Sequence, residues 1–318
     1  MIKRTLYFGN PAYLSMRLRQ LVIRLPEGKG RSPDDRDDDE YHTATDKATE
    51  AKTVPIEDIG IIILDNKQIT VTQGLMEELL ENNCAIITCD SSHLPTGLML
   101  PLYGHTLQNE RFRQQIDASL PLKKQLWQQT IQCKIRNQAK VLEHATGEEH
   151  GNMKAWAGSV KSGDADNLEA RAAAYYWKTI FPDNCDFIRG RDGDAPNNLL
   201  NYGYAVLRAV IARALVSGGL LPTLGIHHHN RYNAYCLADD IMEPYRPYVD
   251  RMILEMTRGG VIPELDKETK AKLLGIPVTE VSINGKRSPL MVAASVTASS
   301  LAKCFSGELR KLAYPEMT

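Results

Sequence analysis

The chain has 318 residues, 43% of them apolar, with 38 Lys and Arg against 39 Asp and Glu for a formal charge of −1. That size exceeds one usual domain and the apolar share fills a sizeable core, which excludes a disordered chain or a small disulfide scaffold and predicts two folded domains. Six acids, Asp34, Asp35, Asp37, Asp38, Asp39 and Glu40, crowd around Arg36, so the remainder is mildly basic and permits a DNA-binding face.

From Met1 to about Leu102 the signals are those of strands, short runs rich in β-branched residues at Thr5–Phe8, Gln20–Arg24, Gly60–Leu64, Gln68–Thr72 and Cys84–Cys89. Asp65-Asn66-Lys67 reads as a tight turn and Gln73–Leu80 as a short helix. The stretch from Glu27 to Lys52 is polar and acidic, with too little apolar surface to offset its ordering entropy, and is expected to be a mobile loop.

Beyond His105 the period becomes helical. Leu122, Leu126, Trp127, Ile131, Ile135 and Ala139 mark one helix over Leu120–His144, and a glycine-bearing loop is expected over His150–Gly163. Further helices are expected at Asn167–Ile180, at Asn198–Val216 stopped by Gly218-Gly219, at Tyr235–Thr257 with a break at Pro244 and Pro247, and at Pro289–Cys304. Asn284-Gly285 marks a hairpin turn, and there is no internal repeat. The fold class expected is α+β: residues 1–102 form a small β-rich N-terminal domain with an acidic loop near 27–52, and residues 103–318 a larger all-α domain carrying the site.

Cys84, Cys89, Cys133, Cys185, Cys236 and Cys304 contain no Cys-x-x-Cys pair and read as free thiols of a reducing compartment. The N-terminus has no signal-peptide pattern, and the apolar stretch Asn198–Leu221 is broken by Asn201, Arg208 and Arg213, as in a buried helix rather than a membrane span. A cytoplasmic protein without a membrane partner is expected.

The most informative segment, Leu224–Asp250, sets three histidines, His227, His228 and His229, just before an acidic, arginine-bearing helix. With the acidic helix start around Asp164–Glu169 it offers carboxylates and an imidazole to one ion, a mixed oxygen and nitrogen set that suits Mg²⁺ or Mn²⁺ better than closed structural zinc. Each residue also has a plainer reading. Asp166-x-x-Glu169 has capping-box spacing, and Glu243, Arg246 and Asp250 have the spacing of a surface ion-pair ladder. In an extended loop His228 points away from His227 and His229, so at most one or two histidines share a site.

Asp166-Asn-Leu-Glu169-Ala-Arg-Ala-Ala, Asn201-Tyr-Gly-Tyr204, Leu224-Gly-Ile-His-His228 and Leu237-Ala-Asp-Asp-Ile-Met-Glu243-Pro-Tyr-Arg-Pro-Tyr-Val-Asp250 resemble, in order, the signature blocks of the CRISPR-associated adaptation integrases, the first-numbered Cas family. The resemblance spans essentially the whole chain, and the Glu-Pro-Tyr-Arg-Pro form is similar to the branch of Cas9-type systems. It implies that Glu169, His228 and Glu243 are the metal-binding and catalytic residues, with Asp240 a weaker additional acid and no ligand role for His227 or His229.

The activity implied is metal-dependent phosphoryl transfer on DNA. A 3′-hydroxyl nucleophile joins a short protospacer duplex into the CRISPR repeat array, and water gives endonuclease cleavage. The partners implied are double-stranded DNA, a second copy of the chain joined through the β domain, the small second-numbered Cas protein in a heterohexamer, and the effector nuclease. Arg17, Arg19, Arg24, Lys286 and Arg287 are candidate contacts to the DNA backbone, or ordinary surface charges. Two other function classes are a DNA-clamping subunit without catalysis and a phosphodiesterase of small molecules.

Overall fold

The computed structural model describes residues 3–26, 52–91, 93–182, 187–190, 193, 195–259 and 262–318. The acidic segment therefore lies outside the described residues except for Lys52, which opens a strand. The first part of the chain runs β1 (Arg4–Phe8), β2 (Ala12–Arg17), β3 (Gln20–Arg24), β4 (Lys52–Pro55), β5 (Ile59–Leu64), β6 (Ile69–Val71), α1 (Gln73–Glu81), β7 (Ala85–Cys89) and β8 (Pro95–Met99). Two four-stranded sheets result, ordered β1-β5-β7-β8 and β4-β3-β2-β6. In the first, β1, β5 and β7 are parallel and β8 is antiparallel.

The unbroken apolar runs of β5 and β7 have a structural cause, because their sheet is covered on both faces. Ile61, Ile63, Ala85 and Ile87 face one large core shared with the helices, while Ile62 and Ile86 face a smaller core with Leu14, Leu21, Leu75 and Leu79. One sheet thus serves as a wall between two cores and ties the strand-rich part to the helical part. β2 escaped the sequence reading because its hairpin with β3 turns on Leu18 and Arg19, both at positive φ, where the usual signal is Asn-Gly.

The second part is α2 (Gln108–Ile116), α3 (Leu120–Thr146), α4 (Gly151–Ser159), α5 (Leu168–Thr179), α6 (Asn197–Ser217), α7 (Cys236–Met242), α8 (Arg246–Met256), α9 (Lys267–Leu273), β9 (Glu280–Ile283), β10 (Lys286–Pro289) and α10 (Leu290–Phe305). The expected loop over His150–Gly163 is instead largely α4, which buries Met153 and Ala157. Asn284 and Gly285, both at positive φ, turn the β9–β10 hairpin as expected. The long helix expected at Tyr235–Thr257 is interrupted by a 3-10 turn at Glu243–Tyr245, where Pro244 cannot donate to the helical ladder.

α3 begins at Ser119, whose hydroxyl accepts from the Leu122 amide, and ends at Gly147 in the left-handed region. α6 is long and apolar enough to cross a membrane, yet 83% of its apolar window is buried inside the protein. Its Gly203 lets Val249 of α8 approach so closely that an added Cβ would meet the valine Cγ1 at 2.5 Å. The described cysteines Cys84, Cys89, Cys133, Cys236 and Cys304 are free thiols, and Cys185 lies outside the described residues.

Candidate functional site

Three backbone segments meet beside the middle of α3: the first turn of α5, the histidine loop, and the α7–α8 junction. Glu169 enters on the first turn of α5. The capping expected from Asp166 is performed by Asp164, whose two carboxylate oxygens accept the amides of Leu168 at 2.9 Å and Glu169 at 3.0 Å. Asp166 is exposed and paired with Lys161 at 2.7 Å. Freed from a capping task, the Glu169 side chain reaches across to α3, where Lys134 Nζ lies 2.7 Å from its Oε1.

The same ammonium lies 2.5 Å from Oε2 of Glu243. Glu243 Oε1 is in turn 2.9 Å from Nε of Arg246, whose guanidinium sits 4.6 Å over the Tyr204 ring. The surface ladder expected from the spacing is therefore not at the surface: Asp240, Glu243 and Asp250 are buried. Burial alone would raise the Glu243 carboxyl, but Arg246 and Lys134 outweigh it and hold it down at about 2. Burial would likewise lower the Lys134 ammonium, and Glu243 and Glu169 reverse that to a net rise. Asp250 belongs to a separate buried group, accepting the hydroxyls of Tyr176 and Tyr204.

The histidine loop is wound around one carboxylate. Asp240, with a fully buried side chain, accepts the amides of Ile226 at 2.7 Å, His227 at 2.9 Å and His228 at 3.2 Å, and its Oδ1 lies 2.5 Å from Nδ1 of His228. Gly225 makes this winding possible, since a Cβ there would meet the His228 carbonyl oxygen at 2.4 Å and Asp240 Oδ2 at 2.8 Å. The compact turn also overrides the alternation expected of an extended loop. His227 stacks on Trp127 of α3 with ring centroids 4.1 Å apart, and His228 stands edge-on to it at 5.2 Å.

Because a carboxylate only accepts, Nδ1–H of His228 donates to Asp240, which leaves Nε2 as the nitrogen with a lone pair for a ligand. The His228 side chain is 46% exposed. The hydrogen bond to Asp240, with smaller help from Glu243 and Glu169, raises its pKa against the effect of burial. Burial and the neighbouring His228 lower that of His227.

The donor chemistry fits a hard divalent ion: two carboxylates already gathered on one positive atom, and an imidazole oriented by a carboxylate behind it. As the side chains stand, no three His, Cys, Asp or Glu residues among those described converge as a ready ligand set. Lys134 stands between the two glutamates instead. This lysine was absent from the sequence expectations, although it sits seven residues after Trp127 and three after Ile131, on the buried stripe of α3. A charged residue on an apolar stripe was the signal. Of the basic candidates, Arg19 pairs with Glu78 and Arg287 with Glu280, both highly exposed, and Arg17, Arg24 and Lys286 are exposed as well.

An α+β protein with a largely buried cluster of acids and bases beside a half-exposed imidazole on its helical side is the class that fold and site define. A family model described as CRISPR associated protein Cas1 matches residues 35–281. The chain is also 35% identical over 300 residues to a CRISPR-associated endonuclease Cas1 of Neisseria meningitidis serogroup C, covering 93% of this chain and 90% of that protein. The chain belongs to the Cas1 family, and the Neisseria relative is consistent with the Cas9-type branch.

Solved structures share the fold. A casposase bound to integration product superposes with a TM-score of 0.75 at 21% identity, over 98% of this chain and 92% of that one. A chain of a Cas6-RT-Cas1–Cas2 complex superposes with a TM-score of 0.68 at 18% identity, over 97% of this chain and 35% of that longer one.

Proposed function

We propose that this protein is a DNA endonuclease and integrase of CRISPR adaptation, holding Mg²⁺ or Mn²⁺ with Glu169, His228 and Glu243 and inserting short protospacer duplexes into the repeat array. The observation that carries the site is that two glutamates remote in sequence share one cation, Lys134 Nζ, beside a half-exposed imidazole held through Nδ1 by Asp240. The family supports the reaction class: the Neisseria relative is named an endonuclease, and the casposase of the same fold is bound to an integration product.

When bound, the divalent ion supplies charge stabilisation on the phosphate oxygens and on the leaving oxygen. The protein's own share follows from the geometry. Glu169 and Glu243 neutralise the ion, and Asp240 fixes the ring of His228 so that Nε2 is offered in one orientation. Arg246, clamped between Glu243 and Tyr204, keeps the Glu243 carboxylate turned toward the site and ionised. The half-exposed position of His228 suits a polymer that lies across an open surface rather than a small molecule in a closed pocket.

The strand-rich part supports a homodimer, since Tyr13, Met16, Leu18 and Leu25 are exposed apolar side chains of the β2–β3 hairpin and its exit. A heterohexamer with a Cas2-type partner is the assembly we propose, supported by the fold shared with a chain of a Cas1–Cas2 complex.

The test is Mn²⁺-dependent half-site joining of a labelled duplex. Glu169→Gln, His228→Ala and Glu243→Gln each abolish joining while salt-sensitive duplex binding persists. Joining by Glu243→Gln at the wild-type rate makes the chain a DNA clamp and overturns the enzymatic reading.

A further inference from the structure

The site carries a cation of its own. Lys134 is buried on α3, its side chain only 10% exposed, and its ion pairs among the described residues are with Glu169 and Glu243. Arg246 is held differently, by Glu243 Oε1 on one side and by the face of Tyr204 on the other. One cation is clamped between a carboxylate and a ring. The other hangs on a flexible four-carbon stem and touches the same two carboxylates that the proposed metal needs.

Resting on the metal site proposed above, we infer that Lys134 is a built-in placeholder: it holds Glu169 and Glu243 together before a divalent ion arrives, leaves both when the ion binds, and thereby sets the apparent metal affinity. Two carboxylates facing one another in a largely buried site repel, and the ammonium between them removes that repulsion. An ammonium and a divalent ion cannot both stand at bonding distance from the same oxygens, because their like charges are then only a few ångströms apart.

Metal binding is therefore an exchange. Its cost includes breaking two partly buried ion pairs, so the apparent dissociation constant exceeds that of the same ligands already vacated. The displaced ammonium stays tethered to α3 beside the site, where the negative charge of a bound DNA phosphate draws it out of competition. DNA would then tighten metal binding, and metal would tighten DNA binding by the same factor.

The experiment measures Mn²⁺ binding to the full chain without DNA, by calorimetry and by thermal unfolding with and without the ion, for wild type, Lys134→Met and Glu243→Gln. Lys134→Met is expected to bind Mn²⁺ about tenfold tighter or more than wild type. It should also melt lower than wild type in the absence of the ion and gain more from its addition. In the wild-type protein, acylation of Lys134 by an amine reagent, read by mass spectrometry, should rise when Mn²⁺ is added.

Unchanged or weaker Mn²⁺ affinity in Lys134→Met, with Glu243→Gln weakening it, overturns the placeholder and leaves the metal site standing. Wild-type protein that binds no Mn²⁺, or binds it regardless of Glu243→Gln, overturns both. Should Lys134→Met not fold, the acylation decides: Lys134 reactivity insensitive to Mn²⁺ overturns the inference.

Discussion

Asp240 Oδ1 lies 2.5 Å from Nδ1 of His228, and the same buried carboxylate gathers the amides of three consecutive loop residues. One side chain thus shapes the loop and aims the imidazole. Asp240→Asn keeps the size but loses one acceptor oxygen, so the loop amides go partly unpaired and His228 loses its orienting charge. Mn²⁺ affinity should fall by about 10- to 100-fold, and stability by roughly 1–3 kcal/mol. Calorimetric titration and urea unfolding measure the two separately, and unaltered Mn²⁺ affinity would show that His228 needs no orienting partner.

The three histidines should separate cleanly. His228→Ala abolishes joining, whereas His227→Ala loses only the stacking on Trp127, about 0.5–1.5 kcal/mol of stability, and keeps joining. His229→Ala should also keep it. Labelled half-site joining across the three variants checks this, and loss of joining in His227→Ala with His228→Ala active would move the ligand by one residue.

Asp250 gives a pH signature away from the metal site. Burial pushes its carboxyl up to about 6 from the ordinary 3.8, against the opposing pull of Tyr204 and Tyr176. The folded state then binds this proton more tightly than the unfolded chain, so this group's contribution to stability falls as pH rises from 3.8 to about 6 and is gone above that. The full change is roughly 3 kcal/mol. Glu243 acts in the opposite sense, its contribution being complete above 4.5 and lost as pH falls toward about 2. Urea midpoints from pH 4 to 7 should show wild type losing stability relative to Asp250→Asn as pH rises, and parallel curves would contradict the assignment.

Lys270 of α9 reaches Asp65, at the end of β5, at 3.3 Å, where Tyr7 and His93 also bond the carboxylate. This buried group joins the strand-rich part to the helical part. Lys270→Met leaves a buried carboxylate with less compensation and should cost roughly 1.5–3 kcal/mol. Thermal unfolding checks it, and an unchanged melting temperature would show the contact to be dispensable.

Much of this was legible in the sequence where one local signal dominated. Pro244 announced the break in the α7–α8 pair, Asn284-Gly285 the late hairpin, and the signature blocks the family. What failed was tertiary in origin. Asp164 rather than Asp166 caps α5, because Gly163 and Asn167 at positive φ fold the chain back by a turn that spacing does not show. The acids near Glu243 read as a solvated ladder because periodicity cannot tell that α3, α6 and α8 close over them. Lys134 is hidden in the sequence because apolar spacing marks the buried stripe of α3 and says nothing of the one charge set within it.

The central claim is that Glu169, His228 and Glu243 converge on one divalent ion, and manganese-soaked crystals tested by anomalous diffraction address it most directly. The account predicts a single strong peak at roughly 2.0–2.2 Å from His228 Nε2 and from a carboxylate oxygen of each glutamate, with Lys134 Nζ withdrawn from both. A peak elsewhere, or none there with Lys134 still seated between the glutamates at saturating Mn²⁺, would contradict it.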